Sequence, residues 1–96
     1  MKSNPEATLK CVIAWSEARN LCGLIERALE TRIAEDDVVQ LNEDSYLLYT
    51  HEVTSEIREW IAPELREGES LLVMEFERWS GYGQGVDSRW LMRRGH

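Results

Sequence analysis

From Thr8 to Trp15 the chain reads TLKCVIAW, with Leu9, Cys11, Ile13 and Trp15 on one face and Val12 and Ala14 on the other. A short strand that is apolar on both sides is expected at the centre of a sheet, covered above and below. The period then changes. Leu21, Leu24, Ile25, Ala28 and Leu29 recur at i, i+3, i+4, i+7 and i+8, the stripe of an amphipathic helix from Asn20 to about Thr31. Asn20 is placed to cap its first turn by accepting a backbone N–H. The acidic run Glu35-Asp36-Asp37 reads as a loop. Val38–Asn42 and Ser45–Thr50 are two short strands whose polar connection makes an antiparallel hairpin.

A second helix follows, with Thr54 or Ser55 as its cap, Glu56 near its positive end and Ile57, Trp60 and Ile61 as its buried stripe. Pro63 lacks an N–H and cannot continue a regular helix, so a short turn through Pro63-Glu64-Leu65 is predicted, ended by Gly68. Ser70–Arg78 is the fourth strand, with Met74 and Phe76 opposite Glu75 and Glu77. A glycine-rich loop, Ser80–Gly85, leads to Asp87, which can cap a last helix carrying Trp90 and Leu91.

The order β-α-β-β-α-β with a tail predicts one α+β domain over residues 1–96, its core at about 8–78 and a Trp-rich tail at 79–96. Right-handed crossovers lead to a ferredoxin-like antiparallel sheet of order 4-1-3-2 with both helices on one face. On this reading the first and third strands lie side by side in the middle and run parallel. Helices cover only one face. The other is expected to be covered by the tail and by a second copy of the chain, with Trp15, Trp79, Tyr82 and Trp90 as the interface residues.

Ninety-six residues with 43% apolar side chains suit a single globular domain. A formal charge of −7 argues against nucleic acid as a partner, because such binding needs Lys and Arg to replace counterions along phosphates. Arg89, Arg93 and Arg94 in the tail read as a solvated helix face. The two cysteines, Cys11 and Cys22, have no CxxC or Cys/His spacing and read as free thiols in a reducing compartment. Residues 1–8 hold no apolar signal segment, and no apolar run approaches the ~20 residues needed to cross a bilayer. A cytoplasmic location is expected.

Parallel central strands would bring their carboxyl ends together at one edge of the sheet. Ser16, Glu17 and Arg19 would arrive there from the first strand, and His51 and Glu52 from the third. An imidazole beside two carboxylates is suited to acid–base chemistry near neutral pH or to holding a divalent metal. Glu17, His51 and Glu52 are therefore the candidate catalytic residues, and Glu17 the candidate metal ligand. The bland reading makes all three exposed residues where strands become loops. Gly81-Tyr82-Gly83-Gln84-Gly85 lacks the Lys and Ser/Thr of a phosphate-binding loop and reads as a turn.

The opening strand Leu9–Trp15, Asp44-Ser45-Tyr46-Leu47-Leu48-Tyr49, Thr54-Ser55-Glu56-Ile57-Arg58-Glu59-Trp60 and Glu67-Gly68-Glu69-Ser70-Leu71-Leu72-Val73-Met74-Glu75 resemble a known pattern. It is that of the small CRISPR adaptation subunit, the SinR-like proteins and, more distantly, VapD. The resemblance covers most of residues 8–91. It implies a ferredoxin-like homodimer, in which some relatives are metal-dependent nucleases with an aspartate after the first strand at the dimer interface. Here that stretch reads Ala14-Trp15-Ser16-Glu17, so the metal site exists only if Glu17 replaces the aspartate.

Two functions are thus expected to compete. The first is a homodimeric interaction or regulatory module without catalysis or cofactor, binding another protein through its acidic surface. The second is a nuclease using Mg²⁺ or Mn²⁺ at Glu17, with His51. An acidic mimic of nucleic acid that blocks a basic partner is a third reading.

Overall fold

The computed structural model describes residues 6–94. Strand β1 (Thr8–Trp15) leads into helix α1 (Cys22–Glu30), a 3-10 turn at Glu35–Asp37, and the hairpin of β2 (Val38–Asn42) with β3 (Ser45–Thr50). Helix α2 (Thr54–Ile61), a second 3-10 turn at Ala62–Glu64, β4 (Ser70–Phe76) and helix α3 (Ser88–Arg93) follow. The strands form one sheet in the order β2-β3-β1-β4, which is the expected 4-1-3-2 viewed from its opposite edge. The chain is a small α+β protein.

Every pairing in the sheet is antiparallel, including β1 with β3, where Thr8 faces Thr50 and Ile13 faces Ser45. This corrects the expectation of parallel central strands. The reason is topological. The crossover through α1 returns the chain in β2 along the direction of β1, and the hairpin then reverses it. A third strand lying between β1 and β2 must therefore run against both.

Val12 and Ala14 on β1 and Tyr46 and Leu48 on β3 share one face, and both long helices pack there. Helix α1 contributes Leu24, Ile25, Ala28 and Leu29, and α2 contributes Ile57 and Ile61. Asn20 Oδ1 accepts the Cys22 N–H at 2.8 Å, but it stands one residue before the cap position, Leu21, which makes no side-chain cap bond. Thr54 and Ser55 do not cap α2, which starts after an extended Val53 with no side-chain cap. Pro63 sits in the 3-10 turn at Ala62–Glu64, where its missing N–H is not needed. Gly68, at φ 87°, takes the left-handed conformation that turns the chain into β4.

The opposite face belongs partly to α3. Asp87 accepts the Trp90 N–H at 3.0 Å, and Trp90 and Leu91 pack on Leu9 and Leu47. Three further hydrogen bonds pin the helix to the Glu35–Asp37 turn. The Trp90 indole donates to the Asp36 carbonyl at 2.7 Å, and Arg94 donates to the same carbonyl and to Asp37 Oδ1 at 3.0 Å. The Arg94 guanidinium also lies 4.5 Å from the Trp90 ring centroid. Arg94 is thus part of the fold rather than of a solvated basic face.

Candidate functional site

Antiparallel central strands separate the candidate residues. The carboxyl end of β1 lies beside the β2–β3 turn, where the Ala14 N–H donates to the Asp44 carbonyl at 2.9 Å. The carboxyl end of β3 lies beside Thr8. Glu17 is therefore separated from His51 and Glu52 by about the length of β1, ~25 Å at ~3.3 Å per residue. The expected meeting of these three groups in one chain does not occur.

Ser16 and Arg19 are engaged at the Glu17 end, but in a different task. The Arg19 guanidinium grips Glu69 with Nε to Oε2 and Nη2 to Oε1, each at 2.7 Å. Ser16 donates to Glu69 Oε2 at 3.0 Å and the Arg66 N–H to Oε1 at 2.7 Å. Arg19 also donates to the Glu64 carbonyl at 3.2 Å. These bonds, Arg19 first, hold the Glu69 carboxyl at about 2, well below the usual carboxylate range. With its lone pairs filled, Glu69 is a strut that ties the turn after β1 to the turn before β4. Glu17 stands exposed beside this strut.

At the other end His51 Nε2 and Glu52 Oε2 lie 3.5 Å apart on the surface. Beneath them is a group that the sequence pattern passed over. Lys10 is buried on the helix-covered face of the sheet, donating to Thr8 Oγ1 at 2.5 Å and to the Thr50 carbonyl at 2.8 Å. Desolvation lowers its pKa, and the nearby Glu75 and Glu52 oppose that fall. The missed signal was a charge on the helix-facing side of TLKCVIAW, between Thr8 and Val12. Among the described residues no group of three or more His, Cys, Asp and Glu side chains is placed to hold a metal ion. Cys11 and Cys22 are half-buried free thiols, and burial pushes the Cys11 thiol up.

The aromatic candidates divide. Trp90 is buried against its own sheet, where it supplies part of the cover expected of the tail. Trp79 packs partly on the same cluster. Tyr82 is fully exposed on the glycine-rich loop and covers nothing. Trp15 remains, 45% exposed on the tail-side face.

Around Trp15 that face is bare. Leu72 pairs with Ile13 across β1 and β4, and Met74 pairs with Cys11. Leu72 is 46% exposed and Met74 39% exposed, whereas Phe76, one step further along β4, lies under the tail cluster. The tail therefore covers the half of the face near Leu9 and leaves the half around Ile13, Trp15, Leu72 and Met74 open. No strand position in the open half is charged. Among the described residues β4 is an edge strand, and one row of its backbone N–H and C=O groups runs without a strand partner beside this patch.

Comparison with family models, with curated proteins and with solved structures returns no match. Among the described residues no helix is long and apolar enough to cross a membrane.

Proposed function

We propose that this chain is a ferredoxin-like interaction module that works without catalysis as a homodimer, joining the β4 edge beside the open half of its sheet to the same edge of a second copy. The observation that carries the reading is the uncharged patch of Ile13, Trp15, Leu72 and Met74 beside the free edge of β4. A second copy related by a two-fold axis meets this surface with the same surface, the geometry of an isologous dimer. Pairing β4 with its mate would satisfy the free β4 edge of each copy, bring Leu72 and Met74 of the two copies together across the seam and extend the sheet to eight strands. The other edge strand, β2, is shorter and carries a register shift between Gln40 and Asn42, a feature that blunts edge pairing.

The resemblance to SinR-like and VapD-related proteins points to the same assembly. Half-buried free cysteines suit a reducing cytoplasm. Sedimentation velocity tests the dimer. Wild type should sediment as a dimer at tens of micromolar, and Leu72→Glu with Met74→Glu should sediment as a folded monomer. A wild type that stays monomeric overturns the dimer. Cleavage of RNA or DNA in Mg²⁺ or Mn²⁺ that Glu17→Ala abolishes overturns the absence of catalysis.

A further inference from the structure

At the β2 edge, opposite β4 in the sheet, residues of the second half of α1, of the turn after it and of β2 line a cleft of about 440 Å³. Leu29, Ile33 and Val38 give it an apolar floor. Glu26, Glu30 and Glu35 rim it, and among the described residues no Lys or Arg lines it. Tyr46 donates its hydroxyl to Glu26 at 2.7 Å, which fixes that carboxylate at the edge of the floor. Burial and the Glu26 contact push the Tyr46 phenol up, so it remains a donor.

The fold gains little from the other two acids. The side chains of Glu30 and Glu35 have no hydrogen-bond or ion-pair partner among the described residues. Glu26 and Glu30 also stand four apart on α1, a spacing at which like charges weaken a helix. An anionic partner is repelled here, and a small bare cation leaves the apolar floor unused. Arg and Lys side chains match both parts, because their aliphatic stems lie on apolar surface while the charged heads reach carboxylates.

We infer that this cleft docks a basic, partly apolar segment of a partner protein, with stems on Leu29, Ile33 and Val38 and charged heads at Glu30 and Glu35. The inference rests on the reading of the chain as an interaction module and names the chemistry of its partner. The cleft and the dimer patch lie at opposite edges of the sheet, so both can be occupied together.

The probe is a labelled octapeptide of alternating Arg and Leu, followed by fluorescence anisotropy in about 50 mM salt. Saturable binding is expected. Glu30→Gln with Glu35→Gln should weaken it about fivefold, as two exposed ion pairs of ~0.2–1 kcal/mol each imply. An Arg/Gly octapeptide of equal charge should bind at least about threefold weaker for want of the floor contacts. Glu56→Gln with Glu67→Gln, which removes the same charge elsewhere on the surface, should leave affinity within about twofold. Equal weakening by both double variants, or equal binding of both peptides, overturns the cleft. Sedimentation of the same samples separates the two readings: a dimer that ignores the peptide overturns the cleft alone, and a monomer overturns the dimer of the proposed function.

Discussion

Trp90 is the side chain on which the tail depends, and its removal can be worked through from the structure. The ring is 4% exposed, packs on Leu9 and Leu47, and donates to the Asp36 carbonyl at 2.7 Å. Truncation of a buried Trp to Ala costs about 3–5 kcal/mol in comparable cores. A chain of this length has about 5–14 kcal/mol in total, so Trp90→Ala removes at least about a fifth of its stability. With a urea slope of about 1.5 kcal/mol/M, the midpoint should fall by about 2–3 M. Trp90→Phe keeps most of the ring and loses the donor. The Asp36 carbonyl retains Arg94, so the loss should stay near ~1 kcal/mol. Equilibrium urea unfolding followed by far-ultraviolet circular dichroism reads both numbers. If Trp90→Ala unfolds within about 1 kcal/mol of wild type, α3 does not hold the tail-side face and the half-covered sheet is a wrong description.

The Arg19–Glu69 strut carries a pH signature. The folded Glu69 carboxyl sits at about 2, below its value in the unfolded chain, so its contribution is present above about 4.5 and is lost as pH falls toward 2. The stability gap between wild type and Glu69→Gln should therefore be constant above pH 5 and close below it; a gap that ignores acid contradicts the strut. Lys10 has the opposite sense. Burial lowers its folded pKa, so the charged form is disfavoured in the fold, and stability should rise as pH climbs from the folded toward the unfolded value. Lys10→Met should remove that rise and leave the protein at least as stable at pH 7, where a buried charge gives way to an apolar stem; thermal melts between pH 7 and 10.5 check it, and a destabilised Lys10→Met with the same pH slope as wild type refutes it.

The elements were legible because each has a strong local period. TLKCVIAW, the Leu21–Leu29 stripe and the SYLLYT strand fold where their apolar spacing puts them, and Asp87 makes the capping bond that its position predicts. Strand order was legible too, since short crossovers leave few compact alternatives. Strand direction followed from the same connections but needed the hairpin reversal to be carried through, and the site rested on that step. Glu17 and His51 are both polar residues just after apolar strands, a pattern that is identical whether the strands run together or apart. Glu69 was hidden for another reason. Its importance comes from Ser16 and Arg19, some fifty residues away in sequence, and no periodicity reports a contact of that range. Trp15 and Trp90 look alike in the sequence, yet the docking of α3 buries one and leaves the other at the open half of the sheet.

Amide hydrogen exchange along β4, measured at two protein concentrations, addresses the second copy most directly. If β4 pairs with its mate, outward-facing amides within Ser70–Phe76 should be protected at about 200 μM and exchange faster at about 1 μM, while helix amides facing the sheet change little. Identical exchange along β4 at both concentrations would mean that this edge and its apolar patch meet water, not another molecule of the same protein.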